Sequence, residues 1–171
     1  MENRAAPENK RYTLTDEILD TVIALKNAAV KEHRQFDQYQ NRKFNTPEGR
    51  FETYEIQAMK FVDYVLGDYE FPARDRFNAF LDTLTDDNLL DLLLLYYMAE
   101  TVDATISVAP GEPRFLDYYY GNDHLWNVDR GFLIEKLNEK ILLPEMLRKA
   151  RCILNMPKDN GPRLAYRVLH F

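Results

Sequence analysis

The chain has 171 residues, 46% hydrophobic and 29% charged, enough for one domain whose core requires neither a disulfide nor a metal. Its single cysteine excludes an intrachain disulfide, and residues 1–12 are polar, unlike a secretory signal. The longest apolar run, at residues 89–100, is shorter than the roughly 20 residues that span a bilayer. We therefore expect a cytoplasmic protein that does not insert into membranes.

The net charge of −6 is concentrated in the middle of the chain. Residues 51–110 carry 3 basic and 12 acidic side chains, whereas residues 1–50 (9 against 8) and 111–171 (10 against 8) are slightly basic. Nucleic-acid binding depends on Lys and Arg side chains that neutralise phosphates, so we expect no nucleic-acid partner. The acidic part is predicted to be a solvated surface, with a basic partner or a divalent cation as alternatives.

Apolar residues at helical spacing predict three helices in the first half of the chain. The first is expected at about residues 14–40, with Thr13 or Thr15 as its cap. The second follows Thr46 as N-cap and Pro47 in the first turn, and it ends before Gly67. One side of this second helix is apolar and consists of Phe51, Tyr54, Ala58, Phe61, Val62 and Val65. A short third helix is expected at about residues 73–84.

A fourth helix, at about residues 86–107 with Thr85 as its cap, is predicted to be central. Its middle part is apolar on every side except at Asp91, and a helix without a polar face is normally surrounded by other helices. Three further elements are expected: a short helical turn at about 113–120, a helix at about 128–142 and, after Pro144, a basic helix that ends near residue 155.

This pattern predicts a single-domain all-α bundle of about six to seven helices around a buried central helix. We expect residues 13–156 to form the domain and residues 1–12 to form a flexible N-terminal segment. Residues 157–171 are rich in proline and glycine, and we expect them to form an extended C-terminal tail that packs on the domain or pairs with another chain.

The stretch DYYYGNDHLWN, at residues 117–127, is a candidate binding surface. Consecutive tyrosines at the end of a helix point about 100° apart, so at least one is expected at the surface. Tyrosine and tryptophan commonly anchor protein interfaces. The candidate binding residues are Tyr118, Tyr119, Tyr120, His124 and Trp126. Local packing at the end of the bundle is the alternative, because 13% of the whole chain is aromatic, and a small-ligand or nucleotide pocket is another.

Two carboxylate pairs with helical spacing form a candidate metal site: Glu52 with Glu55, and Glu100 with Asp103. Residues three apart share a helix face, and oxygen ligands from two adjoining helices suit Mg²⁺. Glu-x-x-Glu followed by Glu-x-x-Asp is similar to the metal-binding pattern of all-α nucleotide pyrophosphohydrolases. The resemblance implies a Mg²⁺-dependent enzyme in which these four carboxylates hold the ion. Ordinary solvated or salt-bridged carboxylates are the alternative.

Cys152 is a candidate reactive thiol, with an inert cysteine as the alternative. Apolar residues define the inward face of its helix, which places Cys152 on the opposite side with Arg148 and Arg151. Neighbouring guanidinium groups favour the thiolate and are expected to lower the pKa of this cysteine. No histidine lies within a helical turn, so a catalytic nucleophile is not expected.

The sequence thus favours a non-catalytic cytoplasmic module that uses no cofactor. We expect it to bind a protein partner or a second copy of itself through residues 118–126. The alternative is the Mg²⁺-dependent pyrophosphohydrolase.

Overall fold

The protein is a helical bundle in the computed structural model, which describes residues 13–45, 51–101, 125 and 127–154. Within these ranges there is no strand, which confirms the predicted all-α class. Six helices occur there: α1 (Asp16–Lys43), α2 (Tyr54–Leu66), α3 (Pro72–Thr83), α4 (Asp86–Thr101), α5 (Arg130–Glu139) and α6 (Leu143–Leu154). The turn expected at 113–120, the N-terminal segment and the C-terminal tail lie outside the described residues.

The ends of α1 carry the residues that helix ends favour. The Thr15 side chain accepts a hydrogen bond from the backbone N–H of Ile18 at 3.2 Å, and two acidic residues occupy the first turn, where the helix dipole is positive. After α1, Asn45 has φ of 51°, a left-handed conformation that asparagine tolerates better than most residues. This left-handed residue therefore ends the helical path of α1.

The N-terminus of α3 is capped by a side chain of α1. The preceding residue, Phe71, provides no side-chain hydrogen bond. Glu32 of α1 instead accepts hydrogen bonds from the backbone N–H groups of Ala73 at 2.8 Å and Arg74 at 3.0 Å. A carboxylate also interacts favourably with the positive end of the helix dipole, so this contact fixes the position of α3 along α1.

The middle of α4 is buried on every side, as its apolar sequence predicts. The side chains of residues 89–95 are all 0% exposed. Helices α5 and α6 pack directly against α4, while α1 packs against α3 and α6. The predicted start is also confirmed, because Asn88 N–H donates to the Thr85 hydroxyl at 3.1 Å and Thr85 N–H donates to the Asn88 side chain at 3.2 Å. This reciprocal pair is a capping box.

Asp91, the charged residue within the apolar part of α4, is hydrogen-bonded to the segment that precedes α1. The backbone N–H and the hydroxyl of Thr13 donate to Asp91 Oδ2 at 2.6 and 2.9 Å. The Asn88 side-chain amide donates in turn to the Thr13 hydroxyl at 2.8 Å. A buried carboxylate is costly unless it is hydrogen-bonded, so these three residues join the start of α1 to α4.

Two cations hold α5 against the other helices. Lys26 of α1 is 4% exposed, and its ammonium donates to the backbone carbonyl of Asn138 at 2.6 Å. Arg130, at the start of α5, forms a salt bridge of 2.9 Å with Asp86 and donates to two carbonyl groups at the end of α3 at 3.1 and 2.8 Å. The guanidinium thereby binds carbonyl groups of the last turn of α3, where helix carbonyl groups lack the usual partner four residues on.

The predicted N-terminus of α2 is wrong. Residues 51–53 are not helical, and the helix begins at Tyr54, where the Thr53 hydroxyl accepts a hydrogen bond from Ile56 N–H at 3.3 Å. Threonine is a favoured cap residue, and Thr53 caps this helix seven positions after the predicted Thr46. The predicted end is confirmed, since Gly67 is the C-cap residue of α2.

Candidate functional site

The predicted aromatic binding residues Tyr118, Tyr119, Tyr120, His124 and Trp126 lie outside the described residues. Leu125, between the last two, is described and is buried in the core at 3% exposure. The binding role of this stretch stays a prediction.

The carboxylates of the predicted metal site show ordinary surface contacts where they are described. Glu52 forms a salt bridge with Lys60, while Glu55 and Glu100 are exposed. Within the described ranges no three His, Cys, Asp or Glu side chains are placed so that they could hold a metal ion. Glu52, Glu55 and Glu100 therefore do not form a metal site by themselves. A site that also includes Asp103 stays a prediction, because that residue lies outside the described ranges.

The predicted lowering of the Cys152 pKa is wrong in sign. Cys152 is half-buried, and burial raises the pKa of its thiol more than the charge of Arg151 lowers it. The Arg151 guanidinium is directed at α1, where it donates to Asp20 at 2.9 Å and lies 3.7 Å from a carboxylate oxygen of Asp16. Its charge is therefore shared with two carboxylates, and the thiol gains little from it.

Helix α2 presents its apolar side to solvent. With about 100° between successive residues, Tyr54, Ala58, Phe61, Val62 and Val65 form one row, which we call the α2 stripe. Tyr54 is 84% exposed, Phe61 67%, Val65 55% and Val62 52%. An amphipathic helix of a globular protein normally turns such a row toward the core, yet no residue of α2 is buried.

Further apolar side chains extend the exposed surface beyond the α2 stripe. Phe51, Met59 and Leu66 are 105%, 46% and 77% exposed. Single exposed apolar residues are common on proteins, whereas a contiguous patch marks an interaction site. The α2 stripe and its neighbours are therefore the candidate functional surface of this protein.

The opposite, polar side of α2 attaches the helix to the end of α1. The buried side chain of Gln40 donates to the Lys60 carbonyl at 2.8 Å and to Asp63 at 3.3 Å. Lys60 donates to the Asn41 side chain at 2.5 Å, and Lys43 forms a salt bridge with Asp63. Buried polar groups require hydrogen-bond partners, so Gln40 holds this side of α2 inward and leaves the stripe outside.

An aromatic cluster strengthens the same attachment. Its ring centroids lie 4.6 to 6.1 Å apart, a range typical of favourable aromatic pairs. Its members are Phe36, Tyr39, Tyr64, Tyr69 and Phe71. Tyr64 projects from the attached side of α2, and its hydroxyl accepts a hydrogen bond from Arg74 at 3.0 Å. The cluster thus packs α2 against α1 and the start of α3.

Two hollows lie beside the α2 stripe. One, of about 540 Å³, is lined by Tyr39, Lys43, Val62, Asp63, Leu66, Gly67, Asp68 and Tyr69. The other, of about 430 Å³, is lined by Lys43, Phe44, Ala58, Met59, Val62 and Asp63. Lys43 and Asp63 line both hollows, and the hydrogen bond between them raises the pKa of Lys43 and lowers the pKa of Asp63. Both side chains are therefore ionised at neutral pH. Both hollows therefore adjoin the exposed apolar residue Val62 and the Lys43–Asp63 pair.

No protein-family model, curated protein sequence or solved structure significantly matches this chain. In the described part of the chain, no helix combines the length and apolar character that a membrane crossing requires.

Proposed function

We propose that the protein is a non-catalytic cytoplasmic interaction module whose α2 stripe binds a basic, amphipathic segment of a protein partner. The observation that carries this proposal is the orientation of α2, which turns its apolar side outward and its polar side toward α1. Residues 118–126 remain a second predicted contact of the same module.

The charges around the α2 stripe favour a basic partner. Glu55, Asp68 and Glu70 are exposed carboxylates on or next to α2. Three nearby cations, Lys43, Lys60 and Arg74, each form a salt bridge with a carboxylate. Complementary charge selects partners and speeds their encounter. A second copy of this surface would bring carboxylates together, and an anionic membrane would be repelled.

Phe61 is the expected anchor of the interface. It lies in the middle of α2, is 67% exposed and offers the largest apolar side chain in the central part of the stripe. Truncation of a central aromatic anchor commonly costs about 2 kcal/mol or more of binding free energy. Because Phe61 is 67% exposed, the same truncation is expected to leave folding stability nearly unchanged.

The test uses a defined probe. A dye-labelled helical peptide of leucine and lysine, with about the length of α2 and its leucines on one face, is titrated with the full chain while fluorescence anisotropy is measured. A peptide with glutamate in place of lysine is the charge control. We expect the basic peptide to bind and the acidic peptide to bind at least about tenfold more weakly, a difference of about 1.4 kcal/mol.

Two variants locate the binding surface. Phe61→Ser is expected to weaken binding of the basic peptide at least about tenfold, with an unchanged melting temperature. Ile141→Ser is the matched control, because Ile141 is 58% exposed but lies between α5 and α6, away from α2. Its affinity for the peptide should equal that of the wild type.

Three results would overturn the proposal. Equal binding of the two peptides would show an unselective apolar surface. Flotation with vesicles of phosphatidylcholine and phosphatidylserine, lost in Phe61→Ser, would identify a membrane as the ligand. A dimer in sedimentation that Phe61→Ser dissociates would identify a second copy of the chain.

A further inference from the structure

We propose that the hollow of about 540 Å³ at the C-terminal end of α2 binds one arginine side chain of the partner segment. We call it the tyrosine hollow, because Tyr39 and Tyr69 are among the residues that line it. The inference rests on the proposed function, since the arginine belongs to the segment that docks on the α2 stripe. It adds the chemical group that distinguishes the partner from other basic, amphipathic segments.

The charged groups of the tyrosine hollow sum to a negative charge. They are Lys43, Asp63 and Asp68. Lys43 and Asp63 form a salt bridge with each other, so their charges cancel. Asp68 is exposed, and none of the salt bridges among the described residues includes it. A carboxylate in a concave surface attracts cations, so charge selects a cationic side chain for this hollow.

The aromatic and apolar lining favours arginine over lysine. A guanidinium is planar, stacks on aromatic rings and binds a carboxylate through two N–H groups, whereas an ammonium is a compact and more strongly hydrated charge. Tyr39 and Tyr69 are each 38% exposed. Lys43 Nζ already lies 5.6 Å from the centroid of the Tyr39 ring, so we assign the incoming guanidinium to Tyr69. Val62 and Leu66 also line the hollow and offer apolar surface to the methylene groups of an arginine.

The aromatic cluster that contains Tyr69 already binds a guanidinium of this chain. Arg74 Cζ lies 4.6 Å from the centroid of the Phe71 ring, and Arg74 donates to the Tyr64 hydroxyl at 3.0 Å. Phe71 packs in turn against Tyr69, with ring centroids 5.1 Å apart. We therefore expect the partner's arginine to stack on Tyr69 and to donate to the carboxylate of Asp68.

The test compares two basic peptides on the full chain. The leucine and lysine peptide, and a peptide with arginine in place of every lysine, are titrated while fluorescence anisotropy is measured. We expect the wild type to bind the arginine peptide about fivefold more tightly, which corresponds to about 1 kcal/mol. Asp68→Asn removes the uncancelled charge of the hollow and should reduce this preference to less than about twofold. Glu55→Gln is the matched control, because it removes an exposed carboxylate in the first turn of α2, outside the hollow, and should retain the preference.

Two variants of Tyr69 test the stacking contact. Tyr69→Phe keeps the aromatic ring and should retain the arginine preference. Tyr69→Leu keeps an apolar side chain without a ring and should reduce the preference to less than about twofold. The melting temperature shows whether either variant loosens the aromatic cluster. If Tyr69→Leu does not fold, Asp68→Asn decides the question, because it changes an exposed side chain.

The outcomes separate this inference from the proposed function. An arginine preference that is lost in Asp68→Asn and retained in Glu55→Gln supports the arginine site. Equal binding of the two peptides by the wild type overturns the arginine site and leaves the proposed function intact. A preference that survives Asp68→Asn, or that both variants lose, also overturns the site, because the arginine then binds elsewhere or senses only the total charge. Failure of both peptides to bind overturns both proposals.

Discussion

Replacement of Asp91 by Asn tests how the start of α1 is joined to the central helix. The substitution retains the size of the side chain and one acceptor oxygen, but it removes the charge. Thr13 directs both its backbone N–H and its hydroxyl to the same carboxylate oxygen, at 2.6 and 2.9 Å. Both hydrogen bonds therefore change from a charged to a neutral acceptor.

The expected loss of stability follows from these two bonds. Hydrogen bonds to charged groups contribute about 1.5–3 kcal/mol and neutral ones about 0.5–1.5 kcal/mol. Two weakened bonds thus lower the free energy of unfolding by about 2–3 kcal/mol, and relief from burying a charge offsets part of this loss. We expect a net loss of about 1–2 kcal/mol, or roughly 2–8 °C in melting temperature for a chain of this size.

A double-mutant cycle measured by urea unfolding isolates the contact. Thr13→Val removes the hydroxyl and is expected to lower the free energy of unfolding of the wild type by about 1 kcal/mol. In the Asp91→Asn background the same substitution should lower it by at least about 0.5 kcal/mol less. Thr83→Val is the control, because the Thr83 hydroxyl donates to the carbonyl of Phe80, three residues earlier in the same helix. Additive effects of Thr13→Val and Asp91→Asn would refute the coupling between the start of α1 and α4.

Three further results are expected. Burial lowers the pKa of Lys26 to about 8. Between about pH 8 and pH 10.4 the unfolded chain then binds more protons than the folded chain, so the free energy of unfolding rises with pH across this window by up to about 3 kcal/mol. Urea unfolding should show no such rise for Lys26→Met, whereas Lys31→Met, which changes an exposed lysine, should retain it. Because burial raises its pKa, Cys152 should react with a thiol reagent more slowly than glutathione at pH 7.5, and an equal or faster rate would contradict this. Millimolar Mg²⁺ should leave the melting temperature unchanged, whereas a rise abolished by Glu52→Gln with Glu100→Gln would establish the magnesium site.

The order of the helices and the central place of α4 are determined by the sequence itself. A helix that is apolar on every side must be surrounded by others, and the caps at Thr15 and Thr85 are local contacts within a few residues. Local rules of this kind do not depend on the rest of the fold. The start of α2 was missed because two threonines offered similar caps and the local sequence does not choose between them.

The tertiary structure decided which side of α2 faces solvent. An apolar row has the same spacing whether it meets a core or a partner, so its sequence predicts the row and not its environment. The environment depends on Gln40, Lys43 and Phe36 of α1 and on Phe71, which contact the other side of α2 from outside that helix. The same reason explains Cys152, because packing of the helices half-buries the thiol and thereby raises its pKa, and α1 supplies the carboxylates that contact Arg151. Contacts between residues far apart in sequence form only when the helices have packed. These contacts therefore determine which apolar side chains of the protein are exposed.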